Sequence, residues 1–90
     1  MKIDVENVKT EIDQFIKKTN FKHGFAKTKQ GEGTLQVYFT GGTQKDEDFE
    51  IESYILADFI LELSRNLNFE YHVGYPEKED GYLWEISEKV

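Results

Sequence analysis

The fold is organised around residues 46–67, which read DEDFEIESYILADFILELSRNL. Five of the first seven residues in this stretch are acids, namely Asp46, Glu47, Asp48, Glu50 and Glu52. The remainder is the most apolar part of the chain, with Ile55, Leu56, Phe59, Ile60, Leu63 and Leu67 at helical spacing and Asp58, Glu62 and Arg65 on the opposite side. This pattern predicts an amphipathic core helix that is preceded by a strongly acidic segment.

The start of this helix has two interpretations. Phe49 and Ile51 alternate with acids, which is typical of a short amphipathic strand over 48–52. Ser53 would then cap a helix over 54–67. Alternatively, the helix begins near Asp46, where acidic side chains suit the positive end of the helix dipole. The alternation favours the strand.

The N-terminal segment predicts a first helix over about 5–18, because Val5, Val8, Ile12, Phe15 and Ile16 recur at helical spacing. Asp4 is the predicted N-cap, and Asn20 is the predicted left-handed stop. Ile3 and Val8 have the spacing of a hydrophobic staple.

Four further segments predict strands that are joined in pairs by short turns. They lie at 21–29, 34–40, 69–75 and 82–87, and the first is expected to place Phe21, His23 and Phe25 on one face. Strands joined by short turns pair antiparallel. The predicted fold is therefore α+β, with the order α-β-β-(β)-α-β-β: a two-layer domain over 1–90 in which two helices cover one face of an antiparallel sheet of four or five strands.

Composition limits the possible classes of protein. The chain has 90 residues, a net charge of −7 and no cysteine, so disulfides and cysteine zinc sites are excluded. It has no apolar signal core and no run long enough to span a membrane, which predicts a soluble cytoplasmic protein. Residues 1–45 contain eight lysines and five acids (+3), whereas 46–90 contain three bases and thirteen acids (−10).

Catalytic and cofactor motifs are not apparent in the sequence. The serines are not in a nucleophile-elbow context, and the glycine pairs at 31–33 and 41–42 are typical of turns. Glu70, His72 and Glu85 are the best candidates for a metal site, but they follow no fixed ligand motif. We therefore predict no enzyme activity, no cofactor and no metal.

Two surfaces other than the acidic one are candidates for binding. Lysines at 17, 18, 22, 27 and 29 lie among aromatic residues and could follow a single nucleic-acid strand, but the acidic second half opposes phosphate. The aromatic residues of the last hairpin could instead bind a protein partner; they are Tyr71, Tyr75, Tyr82 and Trp84. Aromatic residues at strand spacing are, however, more often part of a core.

The acids form the predicted partner-binding site, consisting of Asp46, Glu47, Asp48, Glu50, Glu52, Asp58 and Glu62. Such a surface either keeps the protein soluble or docks on a basic protein. In size, acidity and absence of cysteine, and through the 46–52 run, the chain resembles small phage-encoded inhibitors of the nucleic-acid-mimic and anti-CRISPR type. The resemblance implies an inhibitor that acts in the host cytoplasm and occupies the basic groove of a nuclease or CRISPR effector. The acidic charge of the chain predicts that it binds no nucleic acid itself.

Overall fold

The computed structural model describes residues 4–88 as two helices and a four-stranded sheet. The elements are α1 (Val5–Thr19), β1 (Phe25–Gln30), β2 (Thr34–Thr40), α2 (Glu47–Leu67), β3 (Phe69–Gly74) and β4 (Gly81–Glu88). The sheet order is β1-β2-β4-β3, and all neighbouring strands are antiparallel. The predicted α+β architecture is confirmed, with the order α-β-β-α-β-β.

Helix α1 begins and ends where the sequence predicts. The Asp4 side chain accepts a hydrogen bond from the Asn7 N–H at 3.1 Å, and Asn20 has a left-handed conformation with φ of 54°. Lys9 and Asp13 form an ion pair of 2.6 Å one helical turn apart. The predicted staple involves Ile3, which lies outside the described residues.

The core lies between the helices and one face of the sheet. On the central strands, Leu35 pairs with Ile86 and Val37 pairs with Trp84, and all four side chains are buried. Directly paired residues point to the same side of a sheet, so this is the face that the helices cover. Both helices supply buried apolar residues to the same cluster: Val5, Val8 and Ile12 from α1, and Phe49, Leu56, Ile60 and Leu63 from α2.

The strand predicted over 48–52 is wrong, because these residues form the first turns of α2. The Asp46 side chain caps the helix by accepting the N–H groups of Asp48 and Phe49 at 3.1 and 3.2 Å. Ser53 is therefore not a cap; it is buried inside the helix and donates to the Glu50 carbonyl at 2.6 Å. A helix that starts at residue 47 puts its buried positions at 49, 53, 56, 60 and 63, which follow a 3.5-residue repeat.

The first strand is shorter than predicted, since residues 21–24 are a loop. Phe21 turns toward the helices, where its ring packs edge-on against Phe15 and Phe39 at centroid distances of 6.3 and 5.1 Å. Phe25 points to the uncovered face of the sheet and is 77% exposed, so the prediction that it shares a packed face with Phe21 and His23 is also wrong.

The chain consists of two consecutive αββ units, α1-β1-β2 and α2-β3-β4, and these occupy equivalent places in the sheet. Each unit contributes its second strand, β2 or β4, to the centre and its first strand, β1 or β3, to an edge. Within residues 4–88, neither helix has the length and apolar character required to cross a membrane.

Candidate partner-binding face on α2

The acidic residues at the start of α2 divide into those with internal partners and those without. Asp46 is the N-cap, so its carboxylate is committed to the helix N–H groups described above. Glu47, Asp48 and Glu50 lie in the first turn, where negative charge interacts favourably with the helix dipole. The sequence predicts all of these acids as one binding site, whereas the structure gives them different environments.

Glu50 connects α2 to the sheet. Its two carboxylate oxygens accept the Tyr82 hydroxyl at 2.8 and 2.7 Å, and Tyr82 lies on strand β4. Burial raises the pKa of Tyr82 above its ordinary value, and the hydrogen bond to Glu50 raises it further. The Glu50 carboxylate therefore has a structural role and is only partly available to a partner.

Glu52 holds the loop between α1 and β1. One carboxylate oxygen accepts the Lys22 N–H at 2.8 Å, and the other accepts the His23 N–H at 2.7 Å. These two backbone donors would otherwise lack a protein partner, because residues 21–24 do not pair with a strand. Glu52 is therefore also structural.

The remaining predicted acids are exposed on α2. Glu47, Asp58 and Glu62 have no ion-pair partner within 4.0 Å among residues 4–88. Asp48 lies 4.0 Å from the His23 imidazole, a contact that is ionic only when the histidine is protonated. Four of the seven predicted site residues thus present their charge outward along one helix.

Apolar side chains lie among these carboxylates, a feature that the sequence pattern did not predict. Ile51, Tyr54, Ile55 and Leu61 are 50%, 60%, 42% and 39% exposed. The helical pattern places Ile55 in the core stripe, and the alternation places Ile51 in a strand; both predictions are wrong. A 3.5-residue repeat of mostly apolar positions that begins at Phe49 is the sequence signal that could have placed Ile51 and Ile55 on the exposed side of the helix.

These exposed residues together form what we call the α2 outer face. It consists of Glu47, Asp48, Ile51, Tyr54, Ile55, Asp58, Leu61, Glu62 and Arg65. Four acids and a single base surround four apolar side chains. Such a mixture suits binding to another protein, because the apolar groups gain from burial while the charges select the partner.

A shallow groove of about 370 Å³ borders this face on the side of α1. Its floor includes the stacked rings of Phe15 and Phe59, with centroids 4.0 Å apart and planes 9° from parallel. Ile55, Asp58 and Glu62 also line it. The groove therefore joins the exposed α2 residues to an aromatic contact between the two helices.

The aromatic residues of the last hairpin do not form one exposed surface. Trp84 is only 2% exposed and belongs to the core, and Tyr82 is half-buried against Glu50. Tyr71 packs on the core from the β3 edge, whereas Tyr75 is exposed in the loop after β3. Substituting Trp84 would therefore perturb folding rather than test binding.

The residues predicted as a possible metal site do not form a complete ligand set in the part of the chain that the structure describes. His72 pairs with Glu85 across β3 and β4, but within residues 4–88 no three potential ligands gather closely enough to hold a metal ion. Among the basic residues, Lys27 lies 3.5 Å from the Glu79 carboxylate and 5.3 Å from the Tyr38 ring centroid. The absence of direct nucleic-acid binding stays a prediction.

No protein-family model, curated protein or solved structure matches the chain.

Proposed function

We propose that this protein is a non-enzymatic acidic binding protein, which docks its α2 outer face on a basic surface of a nucleic-acid-binding protein and inhibits it. The observation that carries the proposal is the combination of outward carboxylates and exposed apolar side chains along a single helix. Glu47 and Asp58 are examples of the outward carboxylates, and Ile51 and Tyr54 are examples of the exposed apolar side chains. A purely solubilising surface needs charge but gains nothing from exposed isoleucines.

The charge distribution supports a basic partner. The second half of the chain carries −10, so its field favours encounter with positive surfaces and opposes phosphate. The four acids of the α2 outer face extend from Glu47 to Glu62, a length of about 22 Å at about 1.5 Å per residue. A row of this length can cover the part of a basic groove that otherwise contacts several phosphates of a nucleic acid.

Inhibition follows from this mode of binding, because a partner whose basic groove is occupied cannot hold its nucleic acid. The resemblance to phage-encoded nucleic-acid mimics and anti-CRISPR proteins agrees with this mechanism. It suggests a nuclease or a CRISPR effector as the partner and the host cytoplasm as the place of action.

The test must avoid acids that support the fold. Reversing Asp48, Glu50 and Glu52 together would remove the contacts of Glu50 with Tyr82 and of Glu52 with the 21–24 loop. The informative variant is Glu47→Lys/Asp58→Lys/Glu62→Lys. Its matched control is Glu70→Lys/Glu77→Lys/Glu85→Lys, which changes the net charge equally at exposed sites on β3, β4 and their connecting loop.

Each protein would be immobilised and used to capture partners from host lysate at low and high salt. The captured protein, once purified, would be titrated with its own nucleic acid in the presence of each variant. We expect the wild type and the control triple to displace the nucleic acid, and the α2 triple to lose this ability. Equal displacement by the α2 triple, or a captured partner with no basic surface, would refute the proposed function.

A further inference from the structure

The groove between α1 and α2 has an apolar floor and an acidic rim. The floor is the stacked pair Phe15 and Phe59, extended by Ile55, which is 42% exposed. Asp58 and Glu62 lie on the rim, and they are the only ionisable residues among those that line this groove. An occupant must therefore bury apolar surface and carry positive charge.

The two rim carboxylates repel each other. Asp58 and Glu62 are four residues apart on one helix, a spacing at which like charges destabilise the helix slightly. Neither has an ion-pair partner among residues 4–88. A cation positioned between them would remove this repulsion and gain charge-assisted hydrogen bonds to both carboxylates.

We propose that this groove binds a basic amphipathic helix of the partner, an inference that rests on the proposed function and specifies the recognised element. An apolar side chain of that helix would contact Phe15, Phe59 and Ile55. Lysine or arginine residues one helical turn apart would face Asp58 and Glu62. This is the helix-in-groove mode of recognition, in which anchors recur at every third or fourth position.

The charge of the groove argues against other occupants. An anionic membrane surface or a nucleic acid would bring negative charge to Asp58 and Glu62. A second copy of this chain that docked groove against groove would place the same carboxylates near one another. A basic segment alone complements both the rim and the floor.

A designed peptide tests this proposal directly. The probe is a fluorescein-labelled peptide of about 18 residues, long enough for five turns, with a stripe of leucines flanked by lysines. The control peptide has the same composition in an order that spreads the leucines around the helix. We expect the amphipathic peptide to bind in the micromolar range at low salt, at least about tenfold more tightly than its control.

Two pairs of variants locate the binding site. Asp58→Asn/Glu62→Gln is expected to weaken peptide binding about tenfold, while Glu70→Gln/Glu77→Gln, which removes equal charge at exposed sites away from α2, changes it less than about threefold. Ile55→Asn should weaken binding, whereas Val73→Asn, at an exposed position on β3 that does not line the groove, should not. Thermal unfolding of each variant checks that the fold is retained.

The outcomes separate this inference from the proposed function. Equal binding of the two peptides, or equal effects of the two charge pairs, would overturn the groove proposal while leaving α2 as an electrostatic docking face. Retention of the captured partner by the α2 triple would refute the proposed function, whatever the peptide does. Peptide binding that depends on Ile55 and on the Asp58/Glu62 pair would support the groove.

Discussion

The Tyr82 hydroxyl donates to both carboxylate oxygens of Glu50, at 2.8 and 2.7 Å, and so connects the first turn of α2 to the central strand β4. The Glu50 side chain, one of the five in the acidic run, thus makes a tertiary contact that supports the fold. The same is true of Glu52, which holds the loop before β1. The acids of the run that face outward without an internal partner are consequently fewer than the sequence suggests.

Removing the Tyr82 hydroxyl tests this connection. We expect Tyr82→Phe to lower the free energy of unfolding by about 1–2 kcal/mol, because a hydrogen bond to a charged acceptor in a half-buried site is lost. The measurement is urea denaturation followed by circular dichroism. Tyr75→Phe is the matched control, since the hydrogen bond that the Tyr75 hydroxyl accepts from Gln44 is exposed to solvent, and we expect a change within about 0.5 kcal/mol. Equal effects of the two substitutions would contradict a special role for Tyr82.

Alkaline pH provides a second test of the same contact. The pKa of Tyr82 is raised in the folded protein by burial and by Glu50. In the unfolded chain the same hydroxyl titrates near the ordinary tyrosine value of about 10. Above this value the unfolded state releases the Tyr82 proton while the folded state retains it, so stability falls as the pH rises.

The stability difference between the wild type and Tyr82→Phe should therefore be largest below about pH 10 and should shrink as the pH increases beyond it. Denaturation of both proteins at neutral pH and at pH values above the ordinary tyrosine pKa measures this difference. Comparison with the variant cancels the titration of the other groups. A constant difference across this range would contradict the raised pKa.

Glu52 is expected to matter more for stability than its position in an acidic run suggests. Glu52→Ala leaves the exposed N–H groups of Lys22 and His23 to water, at an expected cost of about 0.5–1.5 kcal/mol for the lost hydrogen bonds. Hydrogen exchange of these two amides should accelerate beyond the change in global stability. Asp58→Ala, which removes an exposed acid in the middle of α2, serves as the control and should have little effect on either measurement.

Gly81 begins β4 with a φ of 136°, a backbone conformation that residues other than glycine rarely adopt. A Cβ atom at this position would lie 2.2 Å from the Phe39 carbonyl oxygen on the neighbouring strand. We expect Gly81→Ala to destabilise the protein by at least about 1–3 kcal/mol through backbone strain, with the steric clash adding to this. Thermal unfolding would measure the loss.

Gly74, at the other end of the same hairpin loop, is the matched control. A Cβ atom there would meet no atom within 4 Å, so Gly74→Ala should be tolerated or slightly stabilising. A similar loss of stability in both variants would indicate that the loop, rather than the Gly81 contact, is sensitive to substitution.

Local patterns are sufficient to predict most of the secondary structure. Asp4 and Asn20 bound α1 as predicted, and Asn68 ends α2 in a left-handed conformation with φ of 55°. The alternation of Leu35, Val37 and Phe39 correctly identifies the buried face of β2. These features depend on residues within a few positions of one another, so they can be read from short segments of the chain.

The predicted beginning of α2 is wrong because two local signals conflict. Phe49 and Ile51 alternate like strand residues, but Asp46 caps a helix and Phe49 enters the core against Phe39, with ring centroids 4.8 Å apart. Ile51 then lies on the outside of the helix, half exposed. The contact between Phe49 and Phe39 joins α2 to strand β2, and this tertiary contact overrides the local alternation.

The sequence by itself determined the α+β class, the helix caps and the excess of acids from residue 46 onward, because these depend on composition and short-range spacing. Only the tertiary structure decided which acids face outward. Glu50 and Glu52 are engaged by Tyr82 and by the 21–24 loop, partners about thirty positions away in the chain, whereas Asp58 and Glu62 border an open groove. A carboxylate's role depends on the donors that the fold brings to it, and no local pattern contains them.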